Sequence, residues 1–132
     1  MTLPLVHTQG FDGHPDNLGM YRIHIFDAHE TGMHFQIGKG GGFHLHQAEQ
    51  RNVPLPTNIY LGGPPALIAS AIAPLPENVP ELLLASMLSG EKLARAEKGA
   101  GAPLPPVAEA EFCLSGHVPP HVRRREGPFG CL

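Results

Sequence analysis

Three short stretches of this chain gather side chains able to do chemistry. Asn17-Leu18-Gly19-Met20-Tyr21-Arg22 places an amide, a phenol and a guanidinium close together. Met33-His34-Phe35-Gln36-Ile37 runs into a corner, Gly38-Lys39-Gly40-Gly41-Gly42, and Glu126-Gly127-Pro128-Phe129-Gly130 lies near the C-terminus. A guanidinium grips a carboxylate through two parallel hydrogen bonds. A glycine corner lets backbone N–H groups close on a phosphate, here with Lys39 as counter-charge. Taken singly, each stretch reads equally as an ordinary turn or strand surface.

A fourth group, His44, His46 and Glu49, approaches the first metal-binding motif of cupins, with Gly38 upstream. The glutamate sits one residue too near, and no second motif follows. On a helix, positions 44 and 46 point to different sides, which prevents shared ligation. A small cupin-like metal protein is therefore the weaker reading, and a polar helix surface the stronger.

The elements that would position these groups follow from period and punctuation. The first nineteen residues read as loop, with turns at Gly10, Gly13 and Asn17. Residues 20–26 and 33–37 alternate as strands of a hairpin, which would put His34 and Gln36 on one face. A short helix is expected over 43–51, a strand over 55–61, and a small apolar helix over 66–73 behind Pro64 and Pro65. Asn78 and Glu81 resemble a capping box ahead of a helix over 81–89 that Gly90 ends. Residues 91–106 read as a flexible connector, and 107–118 as the last strand. Strands mixed with short helices argue for an α+β fold, a small barrel or open sheet flanked by helices, not a doubly wound parallel sheet.

The 132 residues allow one domain, and 42% hydrophobic residues exclude compositional disorder. With 16 Gly, 15 Pro, no Trp and a net charge of −3, the core rests on aliphatic residues and no charged partner is implied. Nucleic-acid binding is not expected; the one basic run, Arg123-Arg124-Arg125, reads as a solvated loop. Two cysteines make no disulfide framework. No signal peptide is recognisable, and the apolar stretch 66–75 is too short to span a bilayer, so a cytoplasmic location is expected.

Taken in order, with Leu61-Gly62-Gly63-Pro64-Pro65-Ala66 and the stretch from Pro80 to Glu91 between them, these segments resemble the UbiD family of reversible decarboxylases. The resemblance runs from about Leu3 to Phe129 and is similar in phrasing to members linked to quinone biosynthesis. It implies a split β-barrel domain that binds prenylated FMN, of which residues 1–132 would be a part. The implied reaction is loss of CO2 from an aromatic or α,β-unsaturated acid.

By the same resemblance, Asn17 and Glu81 hold a Mn²⁺ or Mg²⁺ ion that bridges the flavin phosphate. Met20, Tyr21, Arg22, His34, Phe35, Gln36, Lys39 and Gly40 contact the cofactor, and Arg22 and Glu126 belong to the catalytic trio. Two positions depart from the family. Gly38 stands where a metal-site histidine is usual, and Cys131 where an acidic proton donor follows the Gly-Pro-aromatic-Gly motif. A thiol is a weak donor, and loss of a general acid costs on the order of 10²–10⁴ in rate. The ending after Cys131 reads as truncation, so the chain is expected to be inactive alone, unstable or self-associating. It would then work as a homo-oligomer or with a complementary fragment. The alternative is a non-catalytic flavin-binding or assembly remnant.

Overall fold

The computed structural model describes residues 1–76, 78–97, 99 and 102–127. The Cys131 substitution and the Pro128–Gly130 motif lie outside them, as do residues 98, 100 and 101 of the expected connector. Among the described residues the fold is mixed, with antiparallel sheets and three short helices. Strands β1 (Leu5–Thr8), β2 (Asn17–Met20), β5 (Leu55–Leu61) and β6 (Phe112–Val118) form one sheet in the order β2-β1-β5-β6. Strands β3 (Ile23–Ile25) and β4 (Thr31–Met33) form a separate hairpin. The helices are α1 (Gly40–Arg51), α2 (Pro65–Ala71) and α3 (Glu81–Ser89).

Alternation along the strands gives the large sheet two buried faces. One carries Leu5, Leu18 and Tyr60 against Leu67 of α2, Ala85 of α3, and Leu93 and Val107. The other carries Val6 and Ile59 against Tyr21 and Ile23, with Phe35 and Met33 packed beside them. All four residues of β1 are buried, and two of them, His7 and Thr8, are polar. The expected loop over the first nineteen residues is thus corrected to two strands. A strand covered on both faces shows no polar alternation by which to recognise it.

Buried polar groups must find partners, and here they form a chain. His7 Nε2 lies 2.9 Å from Asp16 Oδ2 and His7 Nδ1 2.9 Å from the Tyr60 hydroxyl. That hydroxyl accepts from Val107 N–H at 3.3 Å and from Asn58 Nδ2 at 3.4 Å. Ser115 Oγ then donates to Asn58 Oδ1 at 2.7 Å. Burial pushes the Asp16 carboxyl up, but His7, Gly10 N–H and Arg95 more than offset it and leave it below the ordinary range.

Other boundaries shift for local reasons. The strand expected over 20–26 is broken at Tyr21-Arg22, where the chain turns to bury the tyrosine. The second arm of the hairpin ends at Met33, so residues 34–37 are not strand and Ile37 is exposed. Helix α1 starts three residues earlier than expected, its first turn made of glycines. No capping box forms, because the N-cap of α3 is Pro80 and Glu81 reaches β2 instead. Within the expected connector, Leu93 and Leu104 are buried and Arg95 bridges to Val107.

Tyr60→Phe removes one hydroxyl and strands His7 Nδ1 and the Val107 N–H, while Asn58 Nδ2 keeps the Leu104 carbonyl. It should lower the unfolding free energy by about 1–3 kcal/mol. A urea titration should show an earlier midpoint with an unchanged slope; an unmoved midpoint would show that the polar chain does not stabilise the sheet.

Candidate functional site

Strand β2 is an edge of the large sheet, and it delivers Asn17 and Tyr21 to the start of α1. The Tyr21 ring lies where Gly19 has no side chain: a Cβ there would come within 2.6 Å of Tyr21 Cε2. Phe35 covers the ring from the other side, centroid to centroid 5.2 Å. The Tyr21 hydroxyl accepts from Gly41 N–H at 3.0 Å and from Asn17 Nδ2 at 3.4 Å. Burial pushes the phenol above its usual range, outweighing these two donors, with Glu81 adding to the rise. It is therefore a neutral hydroxyl.

The first turn of α1 is shaped by its glycines. A Cβ at Gly40 would overlap the Asn17 amide oxygen, and one at Gly41 would stand 2.7 Å from Phe35 and 2.9 Å from the Tyr21 hydroxyl. One at Gly42 would lie 2.4 Å from the Gln36 carbonyl. The N-cap is Lys39 in extended conformation, with no side-chain cap and no acidic residue in the first turn. Helix starts carry unsatisfied N–H groups and a partial positive charge that favour anions. Exposed Lys39 adds a full charge.

One residue beyond Tyr21, Arg22 points outward. Its Nε donates to Glu126 Oε2 at 3.4 Å while Nη2 pairs with Oε1, a two-pronged grip. His34 Nδ1 lies 2.8 Å from Glu126 Oε1 and 3.2 Å from Arg22 Nη2. Backbone N–H of His34 donates to the Arg22 carbonyl at 3.2 Å, which fixes the two residues side by side. The Arg22 hydrogen bonds, then the charges of Arg22 and His34, hold the Glu126 carboxyl below its usual range. It is a carboxylate at neutral pH.

Of the other sequence candidates, Glu81 reaches the residue that follows Asn17. Its Oε2 accepts from the N–H of Leu18 at 3.0 Å. Both supply hard oxygen donors of the kind that suit Mg²⁺ or Mn²⁺. Among the described residues no group of three His, Cys, Asp or Glu side chains could hold a metal ion. Asn17 and Glu81 therefore fit an ion only if a phosphate completes its shell. The Met20 side chain packs against the helix-side core, and Gln36 is exposed with its carbonyl accepting from Lys39 N–H at 3.3 Å. The shared strand face expected for His34 and Gln36 is absent, because the strand stops at Met33.

His44, His46 and Glu49 do not converge. His44 is buried with Nδ1 2.9 Å from Thr8 Oγ1, and burial holds its pKa down. His46 is exposed, and Glu49 pairs with Arg123. Sequence reasoning placed Gly41 and Gly42 in a glycine corner, not in the first turn of a helix, which is where they lie. It also missed His24, whose Nδ1 accepts from Gly127 N–H at 3.3 Å; nothing in the sequence signals that contact. Among the described residues no helix is long and apolar enough to cross a membrane.

Comparison with known proteins agrees in fold and sequence. The family model described as the UbiD 3-octaprenyl-4-hydroxybenzoate carboxy-lyase Rift-related domain matches residues 1–131. A Chlamydia pneumoniae protein named for 4-hydroxybenzoate decarboxylase is 52% identical over 98% of this chain and 22% of its own length. An evolved dimeric form of the UbiD-class enzyme HmfF from Pelotomaculum thermopropionicum, solved with prFMN, superposes with a TM-score of 0.89. It is 26% identical over 98% of this chain and 30% of that one. Vanillic acid decarboxylase of Sedimentibacter hydroxybenzoicus in its closed form gives a TM-score of 0.84 at 27% identity, over 97% of this chain and 28% of that one. The chain thus spans about a fifth of the length of the first curated relatives it matches.

Gly41→Ala should push Phe35 and Tyr21 off the helix start and cost about 1–3 kcal/mol of stability, as overpacking does. Gly116→Ala, where a Cβ meets nothing within 4 Å, should leave the thermal midpoint within error. Equal midpoints for the two variants would count against close packing at Gly41.

Proposed function

Because the chain belongs to the UbiD family, we propose that it is the flavin-holding and carboxylate-gripping part of a non-oxidative decarboxylase. The substrate class is an aromatic or α,β-unsaturated carboxylic acid, and the cofactor prenylated FMN. The observation that carries this reading is the adjacency of Tyr21 and Arg22. The hydroxyl of one takes the Gly41 N–H at a glycine helix start, and the next side chain faces Glu126 and His34. A cofactor with its phosphate at the first is thereby placed beside a carboxylate gripped by the second.

The start of α1 fits a phosphate on three counts: the side chain of its N-cap residue makes no capping bond, no acidic residue lies in its first turn, and that N-cap residue is Lys39. His34, Phe35 and Gln36 would flank the ring system, and Asn17 with Glu81 would hold a divalent ion against the phosphate. When bound, the modified flavin stabilises the charge that develops as the C–C bond to CO2 breaks. Arg22 would orient the substrate carboxylate through its two-pronged geometry, releasing Glu126 as it does so. Glu126, ionised and hydrogen-bonded to His34, is placed to accept and return a proton at its Oε1 atom. The strands would form part of a split barrel completed by further polypeptide. Exposed Phe112 and Leu114 on β6, and Leu83, Met87 and Leu88 on α3, would pack against that polypeptide.

Two experiments test this. Supplied with prenylated FMN, the isolated chain should release no CO2 from aromatic acids above background, because it spans under a third of the solved relatives. Release abolished by Arg22→Ala would overturn the need for further polypeptide. Titration with Mn²⁺ should show weak binding that tightens when FMN is present, since Asn17 and Glu81 alone leave the shell incomplete. Equal affinity with and without FMN would remove the metal assignment.

A further inference from the structure

Two of the three arginines in the basic run are committed to partners. Residues 119–127 leave β6 without regular secondary structure and touch two separate parts of the molecule. At α1, Glu49 Oε1 accepts from the backbone N–H of His121 at 3.1 Å and lies 2.7 Å from Arg123 Nη2. His121 adopts φ +60°, which bends the chain at this contact. At the hairpin, the Arg124 guanidinium lies over the Phe26 ring, 4.1 Å from its centroid, and pairs with Glu30. Two residues on, Glu126 meets Arg22 and His34, and Gly127 N–H reaches His24.

We propose that Arg123 and Arg124 are positioning residues: by anchoring this segment to Glu49 on α1 and to Phe26 and Glu30 on the hairpin, they hold Glu126 against Arg22 and His34. The proposal rests on the role given above to Arg22 and Glu126, and it concerns how that pair is assembled. Glu126 belongs to no ladder, and an exposed ion pair contributes little by itself. It needs fixed points before it, and the segment supplies two within five residues. A guanidinium over an aromatic face adds attraction that a surface ion pair lacks. The two anchors also lie on different bodies, α1 on the large sheet and Phe26 beside the small one. The segment therefore sets the distance between the hairpin, which flanks Arg22 and His34, and the helix whose start faces Tyr21.

The test is a ¹³C NMR titration of the Glu126 carboxyl in the full 132-residue chain, with the resonance assigned by its loss in Glu126→Gln. The wild-type carboxyl should titrate below the ordinary glutamate range. In Glu30→Gln/Glu49→Gln, which removes the two anchoring ion pairs but keeps both arginines, it should move up toward that range. Direct electrostatics predict the opposite sign, because deleting two negative charges by itself lowers a neighbouring acid. A carboxyl that stays depressed or falls further overturns the proposal. Arg123→Ala/Arg124→Ala, both at exposed positions, gives a second measurement and should also raise it, with Arg124→Lys recovering part of the depression. No rise in that variant would be equally fatal. Failure of the decarboxylase reading would show in CO2 release by the complete assembly, which leaves this titration untouched.

Discussion

The hydroxyl of Tyr21 joins three otherwise separate elements. It follows directly after edge strand β2, leads into the hairpin, and receives the first-turn N–H of α1. That bond requires the ring to be buried, and the ring is buried only because Gly19 leaves room beneath it and Phe35 closes over it. A larger residue at position 19 would displace the ring, and with it the register between strand and helix. Arg22 takes its outward direction from the same turn, so the two halves of the candidate site are separated by one peptide unit and move together.

The sheet divides its labour between its faces. One face packs on α2 and α3 and hides the polar chain from Asp16 through His7 and Tyr60 to Ser115. The other receives α1 and carries the site. Buried polar chains strengthen one another when every member is satisfied, and Tyr60 serves three partners at once. Strand β1 stands at the centre of both arrangements, which is why it is buried throughout and carries polar residues only where a partner waits.

Some of this was legible in the residues. Leu55–Leu61 and Glu81–Ser89 have the expected bounds because Pro54 and Gly62 flank the one and Pro80 and Gly90 the other. A hairpin was visible as alternation, though its first arm shrinks to Ile23–Ile25 and its second, Thr31–Met33, shares only Met33 with the arm expected. Strand β1 was hidden because burial on both faces erases its pattern, and the start of α1 because three glycines argue against helix unless close neighbours forbid side chains. The capping-box signal at Asn78 and Glu81 misled for a physical reason, since a carboxylate at a helix start can as well satisfy a strand across from it. The pairing of Arg22 with Glu126 spans 104 positions, and no local pattern reports such a contact. Resemblance to the family made it an expectation, while the anchors at Glu49, Phe26 and Glu30 had no signal at all.

The two edges of the large sheet are not equivalent. At β2 the outward N–H of Leu18 is occupied by the Glu81 carboxylate, and the helices crowd that side. At β6 seven residues pair with β5 on one side, with Phe112 and Leu114 exposed along them. Among the described residues, strand addition to this sheet therefore has a valence of one. Two copies meeting edge to edge through β6 would consume the receptive border of each, and growth would stop at a closed pair. A strand from any other polypeptide added at β6 would extend the sheet there and carry the new outer edge itself.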